Sequence, residues 1–185
     1  MELKASPRPG DKKISCKVIR RMGKVPAVLY AQGKEGRSIA VGAIDFKKIL
    51  NQIVPGTLST TIFNLDIDGK KTSAILKEIQ YHITTYEVSH LDFIELIDGV
   101  LVELKVPIQC TGVMDCVGVK LGGTLRQVIR TVRVRCLPKD IPAAFEVDVR
   151  ELNVGQEKKL SEIAMPKGVQ PLMDTNTVAV AIAKK

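Results

Sequence analysis

The chain has 185 residues, with 28 Lys and Arg against 20 Asp and Glu for a net charge of +8, an apolar fraction of 45%, and two His, three Tyr, four Phe and no Trp. That length holds one large domain or two small ones, and the apolar fraction belongs to a packed chain rather than a disordered one. No run reaches the ~18 apolar residues of a spanning helix, the opening MELKASPRPGDKK lacks the apolar centre of a secretory signal, and four cysteines make no disulfide scaffold, so a cytoplasmic protein with reduced thiols is expected.

The first stretch is the most cationic. Residues 1–24 hold Lys4, Arg8, Lys12, Lys13, Lys17, Arg20, Arg21 and Lys24 against Glu2 and Asp11, a net +6 of the total +8. A concentrated positive field attracts polyanions in competition with salt, so the segment reads as a nucleic-acid contact surface on a nearly neutral body; a solvated basic terminus gives the same count. Pro7, Pro9 and Gly10 predict extended chain, and KKISCKVIRRMG predicts a short helix closed by Gly23 with Lys13, Lys17, Arg20 and Arg21 outward.

VPAVLY (25–30) and SIAVGAI read as strands joined by the loop AQGKEGR, and Asp45 is placed to cap a helix DFKKILNQIV whose Phe46, Ile49, Leu50 and Ile53 share one face. TIFNLDID alternates, with Phe63, Leu65 and Ile67 on one side, and Asp68-Gly69 is a two-residue hairpin signal leading into KTSAILKEIQ. In VSHLDFIELI, period 2 puts His90 and Asp92 on one face with Val88 and Ile94, and Leu91 and Phe93 on the other. Beyond Asp98-Gly99 the chain is read as almost all β: VLVELKVPIQC, TVRVRC, FEVDV and TVAVAIA as strands, LRQVIR and the LSEI region as brief helical turns. The fold class expected is mainly β, an amino-terminal antiparallel barrel or sheet with short helices followed by a β-rich second domain.

Few residues promise catalysis. The cysteines form no CxxC knuckle, two His cannot complete a zinc set, and Gly122-Gly123-Thr124 lacks a preceding GxxxxGK, so no metal, cofactor or enzymatic activity is expected. His90 and Asp92 could be an acid–base pair, but no nucleophile accompanies them; they read equally as a polar strand face, or as donor and acceptor for base edges and ribose hydroxyls. Tyr30, beside the basic segment, could stack on RNA or belong to a core. Arg133 and Arg135 read as a solvated strand face that could also meet RNA or a neighbouring protein.

RRMGKVPAVLY (20–30), the Asp-Gly hairpin, LKEIQYH (76–82) and SHLDFIEL (89–96), in that order, resemble the bacterial large-subunit ribosomal protein L-twenty-five family, binders of 5S ribosomal RNA. GGTLRQVIRTVRVRCLPKDIPAAFEVDV is similar to the long, general stress protein CTC form of that family. The resemblance implies a six-stranded RNA-binding β-barrel over residues 1–96, a β-rich CTC-type domain over 97–185, and a structural role in the ribosome. It also implies 5S rRNA, the large subunit and neighbouring ribosomal proteins as partners, and a chain that is monomeric when free. Arg8, Arg21 and Tyr30 match the family's basic and aromatic RNA-contacting positions, His90 and Asp92 match its HxDF pair, and Lys13, Lys17, Arg20 and Gln80 match secondary contacts. Two departures stand out: KKISCKVIRR replaces a GKGASRRLRR-like run, and Tyr81 stands where Arg is common, exchanging a phosphate contact for stacking. Other readings are a stress-related protein-interaction module in the second half, and a transfer-RNA-binding barrel of the synthetase-appendage kind.

Overall fold

Six short strands in the first hundred residues each offer an apolar face every second residue, and a closed cylinder buries all of those faces while leaving no edge to pair with another chain. The computed structural model describes residues 1–8, 13–31 and 35–184, with the backbone alone for 13–15. It divides into two compact units, Met1–Val100 and Leu101–Lys185.

In the first unit the order is β1 (Glu2–Pro7), α1 (Lys13–Arg21), β2 (Lys24–Tyr30), β3 (Arg37–Gly42), α2 (Ala43–Gln52), β4 (Ile62–Ile67), β5 (Lys70–Tyr81) and β6 (Val88–Glu95). The strands close into a barrel in the order β1-β3-β2-β6-β5-β4. It is not wholly antiparallel: β1 with β4 and β2 with β6 pair parallel. These are strands distant in sequence, free of the hairpin constraint that makes β4–β5 antiparallel. That hairpin turns on Asp68 and Gly69, at φ 50° and 80°, the left-handed pair that a two-residue turn needs.

The barrel is filled by Leu29, Ile39, Val41, Phe63, Leu65, Leu91 and Phe93, all buried. Phe63 meets Phe93 edge-on, with centroids 5.8 Å apart, and stacks with Phe46 at 6.5 Å. Because Phe46 belongs to α2 and still reaches the barrel interior, α2 closes one end of the cylinder, with Ile49, Leu50 and Ile53 packed against the core. Each such side chain contributes roughly 1.5–3 kcal/mol by leaving water. Helix α2 starts earlier than expected, with Gly42 as its cap residue, so Asp45 lies within the first turn, where its charge still suits the positive end of the helix.

The second unit contains β7 (Val102–Thr111), α3 (Val117–Lys120), β8 (Thr124–Gln127), β9 (Thr131–Cys136), β10 (Phe145–Asp148), β11 (Glu157–Lys159), β12 (Gln170–Pro171) and β13 (Val178–Ala183). They form a four-stranded sheet β10-β7-β9-β12 and a three-stranded sheet β11-β13-β8. LRQVIR, expected as a helical turn, instead supplies β8, because Thr124–Gln127 pairs antiparallel with Ala183–Val180 of β13, and that ladder outweighs a weak local preference. Strand β9 alternates strictly, with Val132, Val134 and Cys136 buried and Arg133 and Arg135 exposed. Gly118 is needed for contact: a Cβ there would stand 2.8 Å from the Leu152 carbonyl oxygen.

Candidate nucleic-acid interface

Strand β6 is the spine of the candidate site. Leu91 and Phe93 point into the barrel, so His90 and Asp92 must point out. On one flank Gln80 of β5 stands opposite His90, and on the other Val28 of β2 stands opposite Asp92 and Tyr30 opposite Ile94. The parallel β2–β6 pairing, invisible to local pattern, thus lays Tyr30, Asp92, His90 and Gln80 across three adjacent strands.

Helix α1 is seated over the same wall. It has no proline or glycine, its Cys16 and Ile19 are half-buried while Lys17 and Val18 are exposed, and Arg20 and Arg21 in its last turn suit the negative end of its dipole. Gly23, at φ 71°, terminates it. The neighbouring Pro26 and Ala40 belong to the outward face of their strands and are nevertheless buried. Two arginines fix the helix in place. Arg8 donates its backbone N–H to the Ser38 carbonyl at 3.1 Å and its Nη1 to Cys16 Sγ at 3.2 Å. Arg20 donates Nε and Nη2 to the single carbonyl oxygen of Ser89, at 3.1 and 3.0 Å. That oxygen belongs to the residue preceding His90, so the last turn of the basic helix abuts the His–Asp pair.

His90 Nδ1 lies 2.9 Å from Asp92 Oδ1, with the two side chains 21% and 19% exposed. The pair is neither entombed nor fully solvated. Oδ1 is shut off from solvent, and among the described residues no hydrogen bond of good geometry reaches it. A carboxylate can only accept, so any hydrogen bond between the two is one that Nδ1 donates, and an uncharged ring donating it would leave Nε2 as an acceptor. Tyr30 is 43% exposed and is not a core residue. Its ring rests on Gly36, where a Cβ would come within 3.2 Å of two ring carbons and 3.1 Å of Val28 Cγ1. Beside it Arg37 pairs with Glu95 at 2.7 Å, bridging β3 to β6 across β2.

Of the residues singled out from sequence, Arg20, Gln80, His90 and Asp92 come together at one place, Tyr30 lies farther along the same wall, and Arg21 and Lys17 are exposed on α1. Among the described residues no carboxylate pairs with Arg21. The side chain of Lys13 lies outside those described. Sequence reasoning missed the Ser89 carbonyl and Gly36. A backbone acceptor leaves no mark in side-chain identity, and Gly36, the second glycine of AQGKEGR, reads only as loop.

Two family descriptions match the chain: the Ribosomal L25p family over residues 3–93, and Ribosomal protein TL5, C-terminal domain, over residues 101–185. Over all 185 residues, with both chains covered completely, it is 50% identical to the Large ribosomal subunit protein bL25 of Chlamydia trachomatis, 49% to that of Chlamydia abortus and 46% to that of Chlamydia pneumoniae.

Proposed function

The chain belongs to the ribosomal L25p family, a family of structural ribosomal proteins rather than enzymes, and on that premise we propose that it binds 5S rRNA within the large subunit through the wall formed by α1, β2, β6 and β5. The observation that carries the proposal is the double hydrogen bond from Arg20 to the Ser89 carbonyl, which sets a cationic helix directly against an acceptor-presenting imidazole. Arg21 and Lys17 neutralise phosphates, and Arg8 adds its charge while its Nη1 holds α1 to the barrel. His90 Nε2 accepts from a ribose 2′-hydroxyl or a guanine amino group, Gln80 bonds alongside it, and Asp92 holds the ring's tautomer. Tyr30 lies against a sugar or base. These are the groups displayed by the wide, shallow minor groove of an RNA helix, so recognition is by shape with a few fixed contacts, and no reaction follows.

Filter binding of isolated 5S rRNA at several salt concentrations tests this. Arg21→Ala and His90→Ala each weaken binding by about 1–3 kcal/mol, and affinity falls steeply with salt. Lys71→Ala, which removes the partner of Glu2 on the β1–β4 side, leaves affinity unchanged. Equal losses from all three variants, or bulk transfer RNA competing as well as 5S rRNA, would refute the assignment.

A further inference from the structure

Next to this wall, beyond the Arg20–Ser89 contact, a groove of about 460 Å³ opens between the start of α2 and the β5–β6 connection. Arg20, Lys24 and Lys47 line it against one carboxylate among its lining residues, Glu87. Two of the chain's three tyrosines line it as well: Tyr81 is 46% and Tyr86 79% exposed, and Ile44 at its edge is 69% exposed. Bulky side chains are thus kept in water beside a cationic cleft.

The connection that presents Tyr86 is built for it. Tyr86 has φ 55°, a left-handed conformation that a bulky aromatic residue adopts only when its surroundings enforce it. Here His82 does the enforcing. Its backbone N–H donates to the Glu87 carbonyl at 2.7 Å, its carbonyl accepts from Tyr86 N at 2.9 Å, and its Nδ1 accepts from the N–H groups of Thr84 and Thr85 at 3.4 and 3.3 Å. Glycine would serve the turn better. Tyr86 is not among the residues of the barrel core, and its exposed ring is open to a ligand in the groove.

We propose that this groove holds one unpaired nucleotide of the bound RNA, its base against Tyr86 and Tyr81 and its phosphate met by Lys24 and Lys47. The excess of cations favours an anionic ligand over an apolar protein segment, and exposed aromatic rings beside cations are the platform on which unstacked bases settle irrespective of sequence. The ligand class rests on the RNA-binding reading above, and Arg20 is common to both, but Tyr86, Lys24 and Lys47 take no part in the wall assigned to the helical RNA, so the two can fail separately.

The chain lacks Trp, so in a Tyr30→Phe variant all tyrosine emission comes from Tyr81 and Tyr86. Titration of that variant with a hexaadenylate ribonucleotide quenches the emission. Adding Tyr86→Gly weakens the binding roughly tenfold, as expected for a lost stacking platform, while the melting temperature holds or rises because glycine accepts the left-handed backbone. Tyr86→Phe retains the affinity. On 5S rRNA, Tyr86→Gly loses protection at one or two unpaired nucleotides and keeps the rest of the footprint, whereas Arg21→Ala weakens the whole footprint. Quenching by polyglutamate equal to that by the oligonucleotide would show that any polyanion suffices and would overturn the proposal. So would a Tyr86→Gly chain that binds hexaadenylate with unchanged affinity. Tyr86-dependent binding of hexaadenylate by a chain indifferent to 5S rRNA would uphold the groove and remove the helical reading.

Discussion

Residues 1–100 carry 15 Lys and Arg against 11 Asp and Glu, and residues 101–185 carry 13 against 9, so the two units share a net charge of +4 and differ in how it is arranged. In the first unit the initial 24 residues are cationic while the remainder is slightly acidic, and of the described cations of α1, Arg20 bonds a backbone carbonyl while Lys17 and Arg21 face solvent. In the second, acids are interleaved with cations. Glu103 takes Arg135 across β7 and β9, Asp115 takes Lys120, and Asp148 approaches Arg150, although Lys105 and Arg133 stand opposite each other with no carboxylate partner among the described residues. Net charge therefore does not locate an interface. The proposed interface differs in having charge held on a helix, unpaired among the described residues and next to the His90–Asp92 pair.

The largest expected effect concerns the scaffold that makes this arrangement rigid. Phe63→Ala empties the centre of the barrel and costs about 3–5 kcal/mol, read from urea unfolding, with amide exchange accelerated across β4, β5 and β6. If α1 stayed protected while those strands opened, the helix would not depend on the barrel as the Arg20–Ser89 contact implies.

The next sharpens the contrast between the units. Arg21→Ala lowers 5S rRNA affinity by about 1–3 kcal/mol, but Arg133→Ala, an exposed cation on β9, costs under about 0.5 kcal/mol in the same assay. A loss at Arg133 matching that at Arg21 would break the comparison, because it would mean that the second unit also binds the RNA. Gly36→Val follows at about 1 kcal/mol, since the added side chain must displace the Tyr30 ring and with it one stacking contact; circular dichroism should show the barrel unchanged.

The smallest effect belongs to the second unit alone. Burial pushes the Cys136 thiol up from its ordinary value of 9.0, and the Asp140 carboxylate pushes it the same way. The folded chain then holds that proton to higher pH than the unfolded one, so this contribution is complete below about pH 9 and is lost as pH rises through the folded value. Urea midpoints from pH 8 to 10 should fall, and Cys136→Ala should flatten that part of the decline.

Local pattern in the amino-acid sequence determined much of this protein. Period-2 alternation assigned the buried faces of β4, β6 and β9 correctly, because a strand's side chains must alternate whatever it pairs with. The Asp68-Gly69 turn was legible because few residues tolerate its backbone. The clustering of cations over residues 1–24 and the shared face of His90 and Asp92 were equally plain. Tertiary structure alone decided the rest. The parallel pairing of β2 with β6, which brings Tyr30 into line with Asp92, joins segments some sixty residues apart and rests on barrel closure, to which no local preference refers. The first half of LRQVIR became a strand because β13 was there to pair with it. The partner of Arg20 is a main-chain carbonyl, which every residue carries alike, so only the folded chain could say which one it meets.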